Sequence, residues 1–318
     1  TRSGGAGGRR PPSTDYPGGE AHTVTPPRFS AVVVARNEEL NIRRCLEHLA
    51  WCHERVVVDM ASEDRTRELA APLATAILRQ EWIPHMEFAR NKGIDAATGE
   101  WILIVDADEL IPEKLRSRLE EHVAADPATA GVWIPRMNYF FGLPVPHTGG
   151  FPDYQLRCFR RGAGRYPDRL HSAAVIDGPV AYLPVEDGAW IVHDRRGTTL
   201  TDVVLKFDTY AGKEARTRLT EGQPFDGPLA ALWAGFSAFR FRFITARGYR
   251  DGMAGLLLSV LFAFYRFLVE AKAWELSGFD SRWDREVRRL RSLPRLAGAL
   301  AMQGARRVSR RKGPTRSP

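Results

Sequence analysis

The chain has 318 residues, of which 44% are hydrophobic and 26% are charged, an ordinary composition for a folded protein. This length allows one large domain, or one domain with a helical extension. A net charge of +8 would suggest nucleic-acid binding if the charge were spread over the whole chain. It is not, because residues 282–318 carry twelve Lys and Arg and two Asp and Glu, a net charge of +10, and the rest of the chain therefore carries −2. This charge distribution excludes a net basic charge on residues 1–281. Only the C-terminal tail is expected to bind an anionic surface, either phospholipid or nucleic acid.

The cysteine content and the N-terminal segment say little about chemistry. Cys45, Cys52 and Cys158 are odd in number and lack the paired spacing of a zinc site, so we expect reduced thiols in a cytosolic compartment. No positively charged start is followed by an apolar segment, so nothing argues for secretion. Residues 1–27 are rich in Gly, Pro, Ser and Arg, and we predict that they are disordered.

The ordered part begins with alternating strands and helices. Short apolar runs predict strands, and apolar residues such as Leu40, Ile42, Cys45, Leu46 and Leu49 predict a helix with one buried face. The strands are expected at 30–35, 55–59, 76–78 and 101–106, and the helices at 40–49, from 62–66 onward and at 87–97. This β-α-β order predicts an α/β fold: a mostly parallel, Rossmann-like sheet with helices on both faces.

Beyond the fourth strand the pattern changes. A helix is expected to about Ala125, and a further strand at 131–135. Residues 136–190 are irregular and rich in Gly, Pro and aromatic residues, as long functional loops are, and residues 199–277 are predicted to be helical.

The most informative stretch is Trp101-Ile-Leu-Ile-Val-Asp106-Ala107-Asp108-Glu109, a buried strand that ends in three acids. Ligands bind at the carboxyl ends of strands in open α/β sheets. Because Asp106 and Asp108 are two residues apart, an extended backbone would point both carboxylates the same way, as two oxygen ligands for Mg²⁺ or Mn²⁺. The alternative is that Asp108 or Glu109 caps a following helix.

Two other strands also end in polar residues. Ala35-Arg36-Asn37-Glu38 follows the first strand and Asp59 ends the second, so both should meet the acids of the fourth strand in one crevice. Arg90, on the helix before the acidic strand, could contact a phosphate or a sugar, or could be a solvated basic turn. No GxGxxG follows the first strand, so an ordinary dinucleotide site is not expected.

The order AVVVARNEE, VVVDMASEDRT, FARNKGIDAATGEW and ILIVDADE resembles the family 2 glycosyltransferases, which have a GT-A nucleotide-sugar domain. The further segment GGFPDYQLRCFRRGAGRY, with Leu170-His171, is similar to the bacterial lipopolysaccharide-core glucosyltransferase subgroup. Two positions depart from the pattern. Met60-Ala61 replaces the usual Ser-Gly or Asp-Gly, and Ser172 replaces the glutamate of a His-Glu pair.

The resemblance implies roles for individual residues. It implies that Asp59 contacts the uracil or ribose, that Arg90 lies near the diphosphate, and that Asp108 is the likelier direct metal ligand of the DxD pair. The nucleotide pocket would be lined by Ala35, Asn37 and Glu38, and the DxD motif is formed by Asp106 and Asp108.

Sugar transfer also needs a base that takes the proton from the acceptor hydroxyl. We favour Asp153, because Pro152-Asp153-Tyr154 precedes a Leu-x-x-Phe run with Arg157 nearby and is similar to the Glu-Asp…Arg element of related enzymes. A capping role for Asp153 stays open, as does Glu186-Asp187 as the competing base. His171 could bind acceptor or phosphate or be structural, and His147 with Gly149-Gly150 is expected to shape an acceptor loop.

The C-terminal part suggests a membrane surface. Residues 253–265 are nearly all apolar, but thirteen residues before Arg266 fall short of the roughly 20 that span a bilayer. Basic residues, among them Arg242, Arg266 and Lys272, alternate with aromatic residues, which suits a helix lying in the interface of an anionic leaflet. The alternative is a helix buried against the catalytic domain, and one helix could do both on different faces.

Together these patterns predict four segments: a disordered stretch at 1–27, a GT-A catalytic domain at 28–198, a helical extension at 199–281 and a basic tail at 282–318. The predicted function, with inversion implied by the family, is metal-dependent transfer of a hexose from a UDP-type donor to a lipid-linked or cell-envelope glycan. The enzyme would be cytoplasmic, peripheral to the inner face of the cytoplasmic membrane. The alternatives are a non-catalytic nucleotide-sugar-binding scaffold, a nucleotidyltransferase, and nucleic-acid binding by the tail.

Overall fold

The computed structural model describes residues 27–83, 86–167, 173–223, 225 and 227–279. Its centre is a seven-stranded sheet with the order β12-β6-β9-β4-β1-β2-β3, in which β1 to β4 are mutually parallel. Strand β9 runs antiparallel to both β4 and β6. The strands of this sheet are β1 (Phe29–Ala35), β2 (Glu54–Asp59), β3 (Ala76–Arg79), β4 (Trp101–Asp106), β6 (Gly131–Ile134), β9 (Gln155–Arg160) and β12 (Val180–Tyr182).

Helices cover both faces of this sheet, as predicted. Alternate residues of β1 point to opposite sides, so Val33 packs in the cluster that contains α1 and α4, whereas Val32 packs on the side of α3. Gly93 of α3 makes this approach possible, because a Cβ there would lie 2.3 Å from Val32 Cγ1. The helices are α1 (Ile42–His48), α2 (Thr66–Ala70), α3 (Met86–Ala96) and α4 (Glu113–Ala125).

The prediction for the first helix is wrong at one residue. Ile42, Cys45, Leu46 and Leu49 are buried as expected, but Leu40 precedes α1 and is 61% exposed. All three cysteines are buried and free, as expected.

The segment 136–190 is more regular than predicted, because it contributes strands to all three sheets. A second sheet, of order β5-β13-β7-β8, stands beside the main one, and β10 pairs with β11. The additional strands are β5 (Glu109–Leu110), β7 (Arg136–Phe140), β8 (Leu143–Pro144), β10 (Gly164–Arg165), β11 (Val175–Ile176) and β13 (Ile191–His193). The loop interpretation was wrong for β9 because Arg157 and Arg160 interrupt the apolar residues of a strand whose Cys158 and Phe159 are fully buried.

Residues 199–277 are helical, as predicted. Helix α5 begins after a capping box in which Thr199 and Asp202 bond each other's backbone N–H groups. A π-helical segment continues α6, and a single-turn 3₁₀ helix leads into α7. The elements are α5 (Leu200–Thr220), α6 (Pro228–Phe239), the π-helical segment Arg240–Thr245, the 3₁₀ helix Gly248–Asp251 and α7 (Gly252–Leu276).

The apolar run ends at Arg266, as predicted, but the helix that contains it continues to Leu276. Residues Gly248–Leu276 form one helical stretch long and apolar enough to cross a membrane by length and composition, which is weak evidence by itself, and a third of its most apolar window is buried within the protein. Hydrogen bonds and ion pairs join α7 to α5. Arg266 and Tyr265 donate to Glu214, and ion pairs form between Arg218 and Glu270 and between Lys272 and Asp208.

Candidate active site

Polar side chains meet at the carboxyl ends of β1 and β4. Strand β1 lies between β2 and β4, so the register sets Ala35 beside Asp59 and Val34 beside Asp106. Glu38, Asp106 and Asp108 line one cavity of about 750 Å³. These three residues therefore share a crevice, as the strand order leads one to expect.

Asp59 lies deeper than expected for a residue that contacts a nucleotide base. Its side chain has no exposed surface, accepts a hydrogen bond from Ser62 N (3.2 Å), and lies 3.4 Å from Arg67 Nε. Ala61, at the position where the family has glycine, takes a left-handed backbone (φ 53°). Alanine therefore takes this left-handed position in the turn after β2.

The loop after β1 is fixed by hydrogen bonds to the loop after β2. Asn37 has a left-handed backbone (φ 53°), donates its N–H to Ser62 Oγ (3.0 Å), and accepts from Glu63 N (2.9 Å). Ala35 itself is buried, whereas its neighbours Val34 and Arg36 line the cavity.

Glu38 is buried at the cavity wall. Its carboxylate accepts from Asn41 Nδ2 (2.8 Å) and lies 3.0 Å from Arg195 Nη2. Burial raises the pKa of Glu38 above its ordinary value, although Arg195 and Asn41 oppose the shift.

Asp106 is held by two arginines. Arg157 donates to both carboxylate oxygens (2.6 and 3.2 Å), and Arg90 Nη2 donates to Oδ1 (2.7 Å). Burial would raise the pKa of Asp106, but Arg157 and Arg90 outweigh it and hold the pKa far below its ordinary range. Both carboxylate oxygens are therefore already engaged inside the protein.

Asp108 occupies a different setting, because β4 ends at Asp106 and Asp108 sits in the following turn. The carboxylates therefore do not project from one continuous strand, as an extended backbone would require. The helix-cap alternative is also wrong, since α4 begins at Glu113 with Pro112 as its N-cap residue.

His193 is the main partner of Asp108. Strand β13 pairs with β5, which brings His193 Nε2 to 3.5 Å from Asp108 Oδ2, while His193 Nδ1 bonds Asn138 Oδ1 (2.7 Å). Burial alone would lower the pKa of His193, but the neighbouring Asp108 carboxylate raises it above its ordinary value. Burial likewise would raise the pKa of Asp108, and His193 lowers it.

Asp153, the predicted base, lies in a second ion-pair network beside the cavity. Arg136 donates Nη2 (2.6 Å) and Nε (2.9 Å) to Asp153 Oδ2, and Gln155 Nε2 donates to Oδ1 (2.7 Å). Burial would raise the pKa of Asp153, but Arg136 outweighs it and lowers the pKa. The same Arg136 donates to the fully buried Glu109 (2.9 Å).

The remaining candidates are dispersed. Glu186, the competing base, pairs with Arg118 of α4. His147 bonds Asp251 at the start of α7, through its backbone N (3.0 Å) and its Nδ1 (2.6 Å). His171 and Ser172, like the basic tail, lie outside the described residues.

A second cavity of about 650 Å³ adjoins the first, between the sheet and the helical extension. Its walls include Phe140, Val145, Phe207, Leu258 and Phe262, so it is more apolar than the first cavity. The residues that line both cavities are Asp108, His193, Arg195 and Lys206. The pair Asp108–His193 therefore stands where the two cavities join.

A family model described as glycosyl transferase family 2 matches residues 30–178, which contain β1 to β4 and the two acids. Residues 30–178 therefore form a glycosyl transferase family 2 domain. Along its length it is similar to "Lipopolysaccharide core biosynthesis glycosyltransferase LpsC" of Rhizobium meliloti (strain 1021), with 27% identity over 80% of this chain and 94% of that protein. It is 26% identical to an uncharacterized glycosyltransferase of Rickettsia bellii (strain RML369-C), over 79% of this chain and 87% of that protein.

A solved structure, the mannosyltransferase PcManGT from Pyrobaculum calidifontis in complex with GDP-Man and Mn²⁺, is more distant from this glycosyltransferase. It is 18% identical, with a TM-score of 0.40 over 88% of this chain and 81% of that one, too low to carry an argument about the site. The family-model match and the glycosyltransferase relatives support a glycosyltransferase over the nucleotidyltransferase and scaffold interpretations.

Two site residues of this glycosyltransferase were missed from the sequence, His193 and Arg195. In the sequence, the apolar pair Ile191-Val192 followed by a histidine could have indicated a strand that ends at His193. It could not have shown that His193 lies near Asp108, because that proximity depends on the pairing of β5 with β13. Among the described residues, no group of three or more His, Cys, Asp or Glu side chains is arranged to hold a metal ion.

Proposed function

We propose that this glycosyltransferase moves a hexose, with inversion, from a UDP-type donor to a hydroxyl of a lipid-linked or cell-envelope glycan, and that it uses a divalent cation. The observation that carries the proposal is the Asp108–His193 pair at the junction of a polar cavity and an apolar one. In this arrangement the larger cavity takes the donor and the smaller one takes the acceptor.

The larger cavity suits a nucleoside diphosphate. Arg36, Lys206 and Lys213 in its lining could balance the diphosphate charge. Arg90, Arg157 and Arg195 also line it, each already paired with an acid of the site, and Arg90 remains the residue proposed to lie near the diphosphate. The proposed nucleotide residues remain Ala35, Asn37, Glu38 and Asp59. Of these, Glu38 lines the larger cavity, Asn37 lines the smaller one, and the buried Ala35 and Asp59 line neither.

The proposed cation site consists of Asp108 and His193. Their Oδ2 and Nε2 atoms are 3.5 Å apart and face the cavity, and a carboxylate with an imidazole is a donor set that Mn²⁺ accepts. Mg²⁺ and Mn²⁺ at phosphate sites commonly take only one or two protein ligands and complete their coordination with phosphate and water. When bound, the cation would neutralise the charge that develops on the leaving diphosphate. Asp106 would not bind the cation itself, because both of its carboxylate oxygens accept hydrogen bonds from Arg90 and Arg157. It would hold these two arginines in place.

Asp153 remains the proposed base, with Glu186 and Asp187 less suited because Glu186 pairs with Arg118. The lowered pKa keeps the Asp153 carboxylate ionised at neutral pH, so it can accept the acceptor's hydroxyl proton as that oxygen attacks the anomeric carbon. Arg136, Asn138 and Gln155 fix its orientation.

The direct test is donor turnover by the purified enzyme. UDP- and GDP-sugars would be screened with Mn²⁺ or Mg²⁺ for release of the nucleoside diphosphate, and donor binding would be measured by calorimetry. We expect metal-dependent turnover of one donor, lost in Asp108→Ala and kept in Asp95→Asn, which changes an exposed acid paired with Arg165. Absence of both turnover and metal-dependent donor binding would contradict the proposal.

We also propose that α6 and α7 lie on an anionic membrane surface at the cytoplasmic side. Two stripes of large apolar residues at helical spacing are exposed: Leu229, Leu232, Trp233 and Phe236 on α6, and Met253, Leu256, Val260, Phe264 and Phe267 on α7. The exposed Arg247 and Arg250 lie between the two helices and would meet anionic headgroups. Arg242, Arg266 and Lys272 are not part of this surface, since they contact groups inside the protein.

Vesicle flotation tests this membrane surface. The full chain should float with vesicles containing phosphatidylglycerol, and the double variant Trp233→Ser/Phe236→Ser should float markedly less. The matched control, Val175→Ser/Val185→Ser, removes exposed apolar residues from the catalytic part. Equal flotation of both variants and the wild type would contradict an interfacial role for α6.

A further inference from the structure

The smaller cavity contains a cation that the protein itself does not neutralise. Arg242 lines this cavity with Phe262, and its guanidinium carbon lies 3.5 Å from the centre of the Phe262 ring. Its Nη1 donates to the backbone oxygen of Thr148 (2.9 Å). Among the described residues, no carboxylate lies within ion-pair distance of Arg242, and burial lowers the pKa of its guanidinium.

This isolation contrasts with the other arginines at the site. Arg90, Arg136 and Arg157 each bond an acid, and those bonds satisfy their charge within the protein. Arg242 has five N–H donors, and within the described part of the chain it donates one hydrogen bond, to a neutral carbonyl. A half-buried guanidinium whose N–H groups are not all hydrogen-bonded is energetically unfavourable unless an anion accepts hydrogen bonds from it and balances its charge.

The backbone around Arg242 is specialised to hold it there. Arg242 lies in the six-residue π-helical segment Arg240–Thr245, and π-helical turns are rare and frequent at functional sites. Gly248 lets this segment approach the loop after β8, because a Cβ there would lie 2.6 Å from Arg242 O and 2.8 Å from Thr148 Cγ2. The guanidinium is therefore preorganised on the cavity wall.

We propose that Arg242 binds an anionic group of the acceptor, a carboxylate or a phosphate, while the acceptor's reacting hydroxyl lies at the Asp108–His193 end of the same cavity. The planar guanidinium matches the oxygen pairs of both groups. Lys206, which lines both cavities, supplies a second positive charge nearby. This inference rests on the proposed function, because it assigns the smaller cavity to the acceptor.

The experiment compares three small glycosides that differ in one group: methyl glucoside, methyl glucuronide and methyl glucoside 6-phosphate. Binding of each to the full chain, with Mn²⁺ and UDP present, would be measured by ligand-observed NMR titration. The proteins would be wild type, Arg242→Met, Arg242→Lys and Arg240→Met, the last of which removes an exposed arginine of the same π-helical segment.

We expect at least one anionic glycoside to bind wild type about 10- to 100-fold more tightly than methyl glucoside, as charged hydrogen bonds allow. Arg242→Met should lose this preference, Arg242→Lys should keep part of it, and Arg240→Met should keep all of it. Whichever glycoside gains affinity identifies carboxylate or phosphate as the group.

Wild type without any preference for the anionic glycosides, or Arg242→Met with the preference intact, would overturn the inference. UDP binding, measured in the same samples, separates this failure from failure of the proposed function. Loss of UDP binding in wild type would count against the glycosyl-donor proposal, whereas normal UDP binding without anion preference would count against Arg242 alone.

Discussion

The proposed donor side and the proposed acceptor side of this site are held together in different ways. On the donor side, Asp106 and Glu109 are bound by arginines within or next to the central sheet. On the acceptor side, the wall is assembled from the loop after β8 and from helices more than 90 positions later in the chain, through the contacts of His147 with Asp251 and of Arg242 with Thr148. The donor side is therefore a property of the family domain, and the acceptor side depends on how the extension docks.

The largest effect is expected at Asp153, whose partners Arg136 and Asn138 line the larger and the smaller cavity, respectively. Asp153→Asn should lower kcat by about 100- to 10,000-fold, the range that a general base contributes. UDP affinity should change little, because the residue lies outside the donor cavity lining. Steady-state kinetics and calorimetry with UDP check this, and a variant with near-normal kcat would move the base elsewhere.

A smaller and more selective effect is expected at Asp251. Asp251→Asn weakens the contact with His147, a pair with only a few per cent of the Asp251 side chain exposed. We expect a rise of about tenfold in the acceptor KM, since a charged hydrogen bond contributes about 1.5–3 kcal/mol and part of it survives in asparagine. The donor KM should stay unchanged. Equal changes in both KM values would argue that the two sides are not separable.

The smallest effect concerns the docking of α7 on α5. Burial, reinforced by the Glu214 carboxylate, raises the pKa of Tyr265 to about 12. Because the folded pKa exceeds the unfolded value of about 10, this contribution to stability is present below pH 10 and is lost as the pH rises toward 12. Tyrosinate absorbance, compared between wild type and Tyr265→Phe, should reveal one late-titrating phenol, and Glu214→Gln should move it to lower pH. A normal titration of Tyr265 would contradict this docking.

The difference between the two sides also explains what the sequence could reveal. Strands β1 to β4 were predictable because each is a continuous apolar run, and Asp106 and Asp108 follow one of them directly. Strand β9 was missed because Arg157 and Arg160 interrupt its apolar residues, although Arg157 turns inward to Asp106. His193 and Arg242 were missed as site residues because their positions depend on long-range pairing and on a π-helical turn, which no local pattern encodes.

The two acids of the DxD pair have different proposed roles. Asp106 fixes Arg90 and Arg157 inside the protein, and Asp108 acts at the site of sugar transfer. Unpairing a buried arginine typically costs about 3–5 kcal/mol, so Asp106→Asn should clearly lower the free energy of unfolding. Asp108 pairs with His193 at 3.5 Å and lies 3.9 Å from Arg195, whose side chain is half-exposed, so Asp108→Asn should cost less stability than Asp106→Asn. Metal-dependent donor turnover by Asp108→Asn should fall about a thousandfold, the scale of several kcal/mol of transition-state stabilisation.

The decisive measurement is therefore denaturant unfolding of Asp106→Asn and Asp108→Asn, paired with nucleoside diphosphate release by each variant under native conditions. The account predicts a large loss of stability for Asp106→Asn, and a loss of turnover with a smaller loss of stability for Asp108→Asn. Equal stability of the two variants, or normal turnover by Asp108→Asn, would contradict it.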